Sequence, residues 1–222
     1  PAIKKAGFDF ISMGSNDSHS GFLDEPKFKA HLSLANKLGL DVTSIHLPFG
    51  GKHDISSTDT SDRQFATGIL GLRLSFIFLY RIPLAIIHLH HYFDGSLEDT
   101  WENGRESLRQ IITDLPVGLH LAVENLPDHR GSWFCTRILN EFGPDQLGFC
   151  YDSSHENISG APFHLLEKFY NRVTITHLSD NHGQADEHLI PGDGNIDWTR
   201  MRQFLEKSPN LTDILFEVGT GD

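Results

Sequence analysis

Short apolar runs of strand length alternate along the chain with longer segments whose apolar residues recur at helical spacing. The runs are FDFISMG, VTSIHL, LAIIHLHH, GLHLAVEN, LGFCYDSS, RVTITHLSD and DILFEVG. Between them lie EPKFKAHLSLANKLGL, SDRQFATGILGLRLSFIFLYR, SLEDTWENGRESLRQIITDL, TRILNEFG, APFHLLEKFYN and TRMRQFLEKS. Seven strands alternating with helices predict right-handed βαβ units and a parallel sheet. PAIKKAG reads as the end of a helix closed by Gly7 at the C′ position, so the strand expected before it is missing from the sequence.

The ends of the runs carry the chemistry. Six of them finish in an acid or an imidazole: His46, His88, Glu124, Asp152 with His155 just beyond, His177, and Glu217. Repetition at intervals of one strand plus one helix implies side chains converging on one rim of a closed parallel barrel. An open doubly wound sheet gathers its ligand at a single switch point, and no GxGxxG follows a strand here. The expected fold class is α/β, a (β/α)8 TIM barrel lacking its first strand, as one domain over residues 1–222.

Composition narrows the partners. Asp+Glu 30 against Lys+Arg 18 gives a formal charge of -12, which opposes a polyanion, so nucleic acid is disfavoured. Cys135 and Cys150 show no CxxC or zinc-knuckle spacing, which fits a reducing cytoplasm better than a disulfide framework. Arg73, Arg81 and Pro83 interrupt the longest apolar stretch, a poor membrane span. No charged, apolar, small-residue leader opens the chain at Pro1, and a cytoplasmic location is the expectation. The apolar helix from Leu70 to Tyr80 is expected to bury against the barrel, with contact to a second copy in a homo-oligomer as the alternative.

Glu124, Asp152, His177 and Glu217 form an oxygen-rich set with one imidazole, suited to Mn²⁺, Mg²⁺, Co²⁺ or Zn²⁺ with positions left open for substrate or water. Each alone reads more readily as a salt-bridged carboxylate or a satisfied core histidine. Together they imply a cation, because three uncompensated acids at buried strand ends are costly. His46, His88, His155, Asp186 and His188 form a second group that either binds further metal or orients the first set. Alternation in HLHH puts His90 on the same face as His88, which leaves the choice between them open. Lys52 and Arg130 read first as solvated surface charges, with phosphate contact as the alternative. In PGDGNIDW, Gly192 and Gly194 suit positive φ, Asp197 suits a helix cap, and Trp198 suits a pocket wall, as does Trp133.

The strings HLPF, IIH, ENLP, CYDSSH, HLSDN, DEHLIPGDGNIDW and FEVG, in that order, resemble the xylose isomerase-like TIM-barrel superfamily, which holds sugar and sugar-phosphate isomerases and epimerases and the endonuclease IV-type AP endonucleases. In the isomerase and epimerase branch the resemblance implies one divalent metal held by Glu124, Asp152, His177 and Glu217, with Glu124 and Glu217 also exchanging protons with substrate. In the endonuclease IV branch it implies three zinc ions held by those four with His46, His88, His155, Asp186 and His188, and all nine positions match. The sequence departs from the family at ISMG, where many relatives carry a Glu, and has no clear closing helix after Glu217.

The loops expected on the ligand face, FGGKHD, HYFDGSLED, LPDHRGS, SSHENISG and LSDNHGQADEH, contribute chiefly Lys52 and Arg130 as cations and suit a small polar substrate better than DNA. The favoured expectation is a metal-dependent isomerase or epimerase acting on a small sugar, sugar phosphate or related ketone through an enediolate, with one ion and up to three. A multi-zinc phosphodiesterase or AP endonuclease and a non-catalytic sugar-binding barrel are the alternatives.

Overall fold

The computed structural model describes residues 1–16, 20–89, 96–211 and 213–219. They fall into two compact units, Pro1–Leu121 and Ala122–Asp222.

In the first unit, helix α1 (Ala2–Lys5) ends at Gly7, whose φ of 94° needs the residue without a Cβ. Then follow β1 (Phe10–Met13), α2 (Glu25–Lys37), β2 (Asp41–His46), α3 (Thr60–Leu79), β3 (Leu84–Ile87) and α4 (Leu97–Thr113). Strands β1, β2 and β3 pair in parallel in that order, as the alternation requires. Helices α2, α3 and α4 each start where a short polar side chain satisfies a free N–H. Asp24 accepts from Lys27 N, Asp59 from Ser61 N and Asp62 N, and Ser96 from Asp99 N. Helix α3 buries Ala66, Leu70, Leu74 and Ile77. Its Arg73 is also buried, with the guanidinium 4.6 Å over the Phe22 ring. Leu72, Phe78 and Leu79 face outward, so the apolar helix is buried along one face only.

Strand β4 (His120–Glu124) leads into the second unit, which continues with α5 (His129–Glu141), β5 (Gly148–Asp152), α6 (Ser153–Ile158), α7 (His164–Phe169), β6 (Val173–His177) and α8 (Trp198–Leu205). Strands β4, β5 and β6 are parallel, with Glu124 opposite Cys150 and Asp152 opposite His177. All of β5 is buried, which is why it reads as an unbroken apolar run. Below it, buried Arg172 donates to the carbonyls of Leu139, Phe142 and Leu147, tying the end of α5 to the start of β5.

Four expectations need correction. Helix α5 begins at His129, seven residues before TRILNEFG, because Asp128 accepts from Gly131 N at 2.5 Å and turns LPDHRGS into a helix start. The SSHENISG segment contains α6, a helix too short to show a period. DILFEVG is not a strand: among the described residues it makes a single parallel bridge, Leu178 to Phe216. Gly192 has a φ of 100° as expected, but Gly194 is small for a different reason: a Cβ there would strike Asp180 Oδ1 and the Asn181 carbonyl.

Candidate metal centre

Glu124, Asp152 and His177 are the last residues of β4, β5 and β6. Asn125 holds the first two ends level, since its side-chain amide donates to the Asp152 carbonyl and accepts from Asp152 N, both at 2.8 Å. That pair continues the ladder where the β4 backbone turns away. Glu217 arrives by backbone pairing, its N–H donating to the Leu178 carbonyl at 3.0 Å. The four side chains thereby offer ligand atoms that all lie within 4.8 Å of one another. His177 Nδ1 sits 3.0 Å from Glu124 Oε2 and 3.1 Å from Glu217 Oε2. Glu124, Asp152 and His177 are buried and Glu217 is exposed, which makes Glu217 the member that meets solvent.

The electrostatics of the site are those of crowded, buried acids. Burial pushes the Asp152 carboxyl up to about 7, with the Glu124 charge adding to it and His155 and His177 opposing. Asp152 Oδ1 accepts from His155 N at 2.7 Å, whereas Oδ2 is buried without a hydrogen-bond donor. Burial works against a charged His177, but Cys150 and Glu124 outweigh it and raise the imidazole well above its ordinary value. A divalent cation fits this set. It would satisfy the orphaned Asp152 oxygen and offset the charge of the crowded carboxylates. Three carboxylates and one imidazole are also the hard, oxygen-rich donors that Mn²⁺, Mg²⁺, Co²⁺ and Zn²⁺ accept.

The second group divides between the units. In the second, Asp186 Oδ2 lies 3.3 Å from His155 Nε2 and 3.1 Å from His188 Nε2. His155 Nδ1 donates to the Asn125 carbonyl at 2.8 Å and His188 Nδ1 to the Glu217 carbonyl at 2.9 Å. Anchoring Nδ1 on a carbonyl leaves Nε2 as the free ligating atom, the arrangement metal-binding histidines use. Both Nε2 atoms face the Asp186 carboxylate, which favours a proton on each. Burial opposes it, but Asp152, Asp186 and Glu124 raise His155 to about 10, and the Asp186 bond raises His188 to about 9. Against its own burial, Asp186 is held far below the usual carboxylate range by those two imidazoles. In the first unit, His46 ends β2 and His88 follows β3. His46 Nδ1 donates to the Leu47 carbonyl at 2.6 Å, and the two Nε2 atoms are 3.1 Å apart. His90 and His91 lie outside the described residues.

Lys52 sits in a 3₁₀ turn, Gly51–His53, and Arg130 in the first turn of α5; both are exposed. Trp198 opens α8, and its indole N–H donates to Asp180 Oδ2 at 2.7 Å. Asp197 caps that helix through Arg200 N, as the spacing predicts. Two contributors escape sequence reading. Asn125 follows Glu124 in LAVEN but acts through a partner 27 residues away, a distance no local pattern encodes. Cys150 lies two residues before Asp152 on the same face of β5 and groups with Glu124 and His177 within 4.8 Å. Burial pushes its thiol up to about 12, so in the metal-free site it is a neutral group behind His177.

Known proteins share this fold. The chain is 25% identical over 245 residues to the uncharacterized protein y4fM of Sinorhizobium fredii, covering 97% of this chain and 78% of that protein. It is 30% identical over 115 residues to the probable endonuclease 4 of Mycobacterium leprae, covering 47% of this chain and 45% of the relative. A D-psicose 3-epimerase from Clostridium cellulolyticum H10, solved with D-tagatose, superposes with a TM-score of 0.77 at 17% identity, over 97% of this chain and 77% of that one. At that identity the likeness is one of fold, a TIM barrel. The family profile described as xylose isomerase-like TIM barrel matches residues 1–220, and the chain belongs to that family.

Proposed function

We propose that this protein is a divalent-metal-dependent isomerase or epimerase of a small sugar, sugar phosphate or related ketone, with residues 1–222 acting as one barrel domain. The observation that carries the reading is the convergence of Glu124, Asp152, His177 and Glu217 within 4.8 Å, with a buried Asp152 oxygen lacking any donor. A divalent cation bound there would polarise a substrate carbonyl and favour the enediolate. The protein's own part is proton transfer. Glu217, the exposed carboxylate, takes the proton from the carbon beside the carbonyl, and Glu124 serves as the second proton-transfer group. Two carboxylates allow removal on one face of the carbon and return on the other, which is epimerisation; one alone suffices for aldose–ketose transfer. The epimerase fold neighbours agree with a carbohydrate substrate, and the formal charge of -12 with a small neutral one. Lys52 and Arg130 are the cations offered to a phosphorylated substrate, and Trp198 a wall for the sugar.

A second reading, a multi-zinc phosphodiesterase, draws on the His155–Asp186–His188 chain and the endonuclease 4 relative. Metal counting with a ketose panel in heavy water separates them. One Mn²⁺ or Co²⁺ per chain and deuterium uptake into a ketose such as D-fructose or D-tagatose support the isomerase. Three zinc ions with phosphodiester cleavage support the alternative. Full metal loading with neither activity leaves a sugar-binding barrel.

A further inference from the structure

The segment between β6 and α8 carries Asp186 and His188 but has no helix or strand of its own, so something must fix its path. Asp180 does this with every group it has. Oδ1 accepts from Asn181 N at 2.9 Å and Ile196 N at 3.2 Å, and Oδ2 accepts from Gly192 N at 2.8 Å and Trp198 Nε1 at 2.7 Å. Its backbone exchanges both hydrogen bonds with Leu189, at 2.8 and 2.9 Å. One fully buried carboxylate thus gathers residues 181, 192, 196 and 198, while its own peptide grips residue 189. Burial works against the charge, but these donors hold the carboxyl below its ordinary range. Gly194 is part of the same device, since any side chain there would collide with Asp180 Oδ1.

The clamp reaches the metal centre by two short routes. Leu189, paired to Asp180, is the residue after His188, whose Nε2 lies 3.1 Å from Asp186 Oδ2. His188 in turn holds the Glu217 segment on both sides: its Nδ1 donates to the Glu217 carbonyl at 2.9 Å and its carbonyl accepts Gly219 N at 2.8 Å. His188 has a φ of 50°, in the left-handed region that non-glycine residues enter uncommonly, histidine more readily than most.

We propose that Asp180 is a positioning residue for the metal centre, folding the 181–196 loop so that His188 meets Asp186 and Glu217 is held beside His177. It touches neither metal nor substrate and acts through Leu189 and His188. The inference rests on the metal-centre reading above, and its test keeps the two apart.

The probe is Co²⁺, titrated into wild type, Asp180→Asn and Trp198→Phe at a temperature well below each protein's unfolding, with the visible d–d band recorded alongside affinity. An amide at position 180 turns an NH₂ toward N–H donors; the Trp198 change removes one donor and leaves the buried carboxylate. Wild type binds Co²⁺, Asp180→Asn weakens binding by about 10–100-fold with an altered band, and Trp198→Phe shifts both in the same direction by less. In the metal-free proteins, hydrogen exchange rises in Asp180→Asn over residues 186–190 and 214–218 while α5 stays protected. A folded Asp180→Asn that binds Co²⁺ with wild-type affinity and spectrum overturns the proposal and leaves the metal centre standing. If Asp180→Asn does not fold, Trp198→Phe decides: weaker Co²⁺ binding supports the clamp and unchanged binding overturns it. Absence of Co²⁺ binding by wild type overturns both.

Discussion

Asp152→Asn is expected to stabilise the metal-free protein and destabilise the metal-loaded one. In the metal-free fold the carboxyl is buried, one oxygen lacks a donor, and its pKa stands at about 7 against an ordinary 3.8. A carboxyl whose folded pKa is raised favours folding below pH 4, where both states hold the proton, and loses that advantage as pH climbs from about 4 to 7. At pH 8 the difference corresponds to roughly 4 kcal/mol per buried charge, on the scale of 1.36 kcal/mol per pKa unit. Asparagine keeps an acceptor for His155 N and carries no charge, so about 2–4 kcal/mol returns, or about 5–12 °C in Tm for a chain of this size. With Mn²⁺ at 1,000 times its Kd, wild type gains about 4.1 kcal/mol that the variant forgoes, enough to exceed that advantage. Calorimetry at pH 8 with and without Mn²⁺ should show the order of the two melting temperatures reverse. A variant less stable than wild type in both conditions would refute the idea that Asp152 is kept for a cation at the expense of the empty fold.

Other outcomes follow from single groups. Glu217→Gln should abolish solvent-proton exchange into a ketose with Tm within about 1 °C, because surface positions contribute little to stability; turnover near wild type would remove Glu217 from proton transfer. Glu156, on the buried face of α6 with an oxygen accepting Leu165 N, is raised by burial to about 7. Its contribution is present below pH 4.5 and lost by about pH 7, so Glu156→Gln should flatten that slope in denaturant titrations, by about 3 kcal/mol across the window. Arg172→Met strands the carbonyls of Leu139, Phe142 and Leu147 and should cost at least about 3 kcal/mol by urea unfolding.

Much of this site was legible because buried parallel strands write themselves as apolar runs, and the residue ending each run is fixed by the run itself. Glu124, Asp152 and His177 were readable for that reason. Glu217 was readable by type, but its strand was not real: among the described residues the segment makes one parallel bridge, through Leu178, and is held as well by His188. Short-range capping hid two helices. Asp128 made a helix start of a segment rich in loop residues, and Asp152 both ends β5 and caps α6, so the sequence showed a strand end without the turn that follows. The supports were invisible, since Asn125 and Asp180 look like ordinary polar residues until distant partners are seen.

A crystal grown with Mn²⁺ and measured at an energy giving anomalous scattering addresses the shared cation directly. One strong peak is expected about 2.0–2.4 Å from an oxygen each of Glu124, Asp152 and Glu217 and from His177 Nδ1. No peak among these four side chains at saturating Mn²⁺ would contradict it.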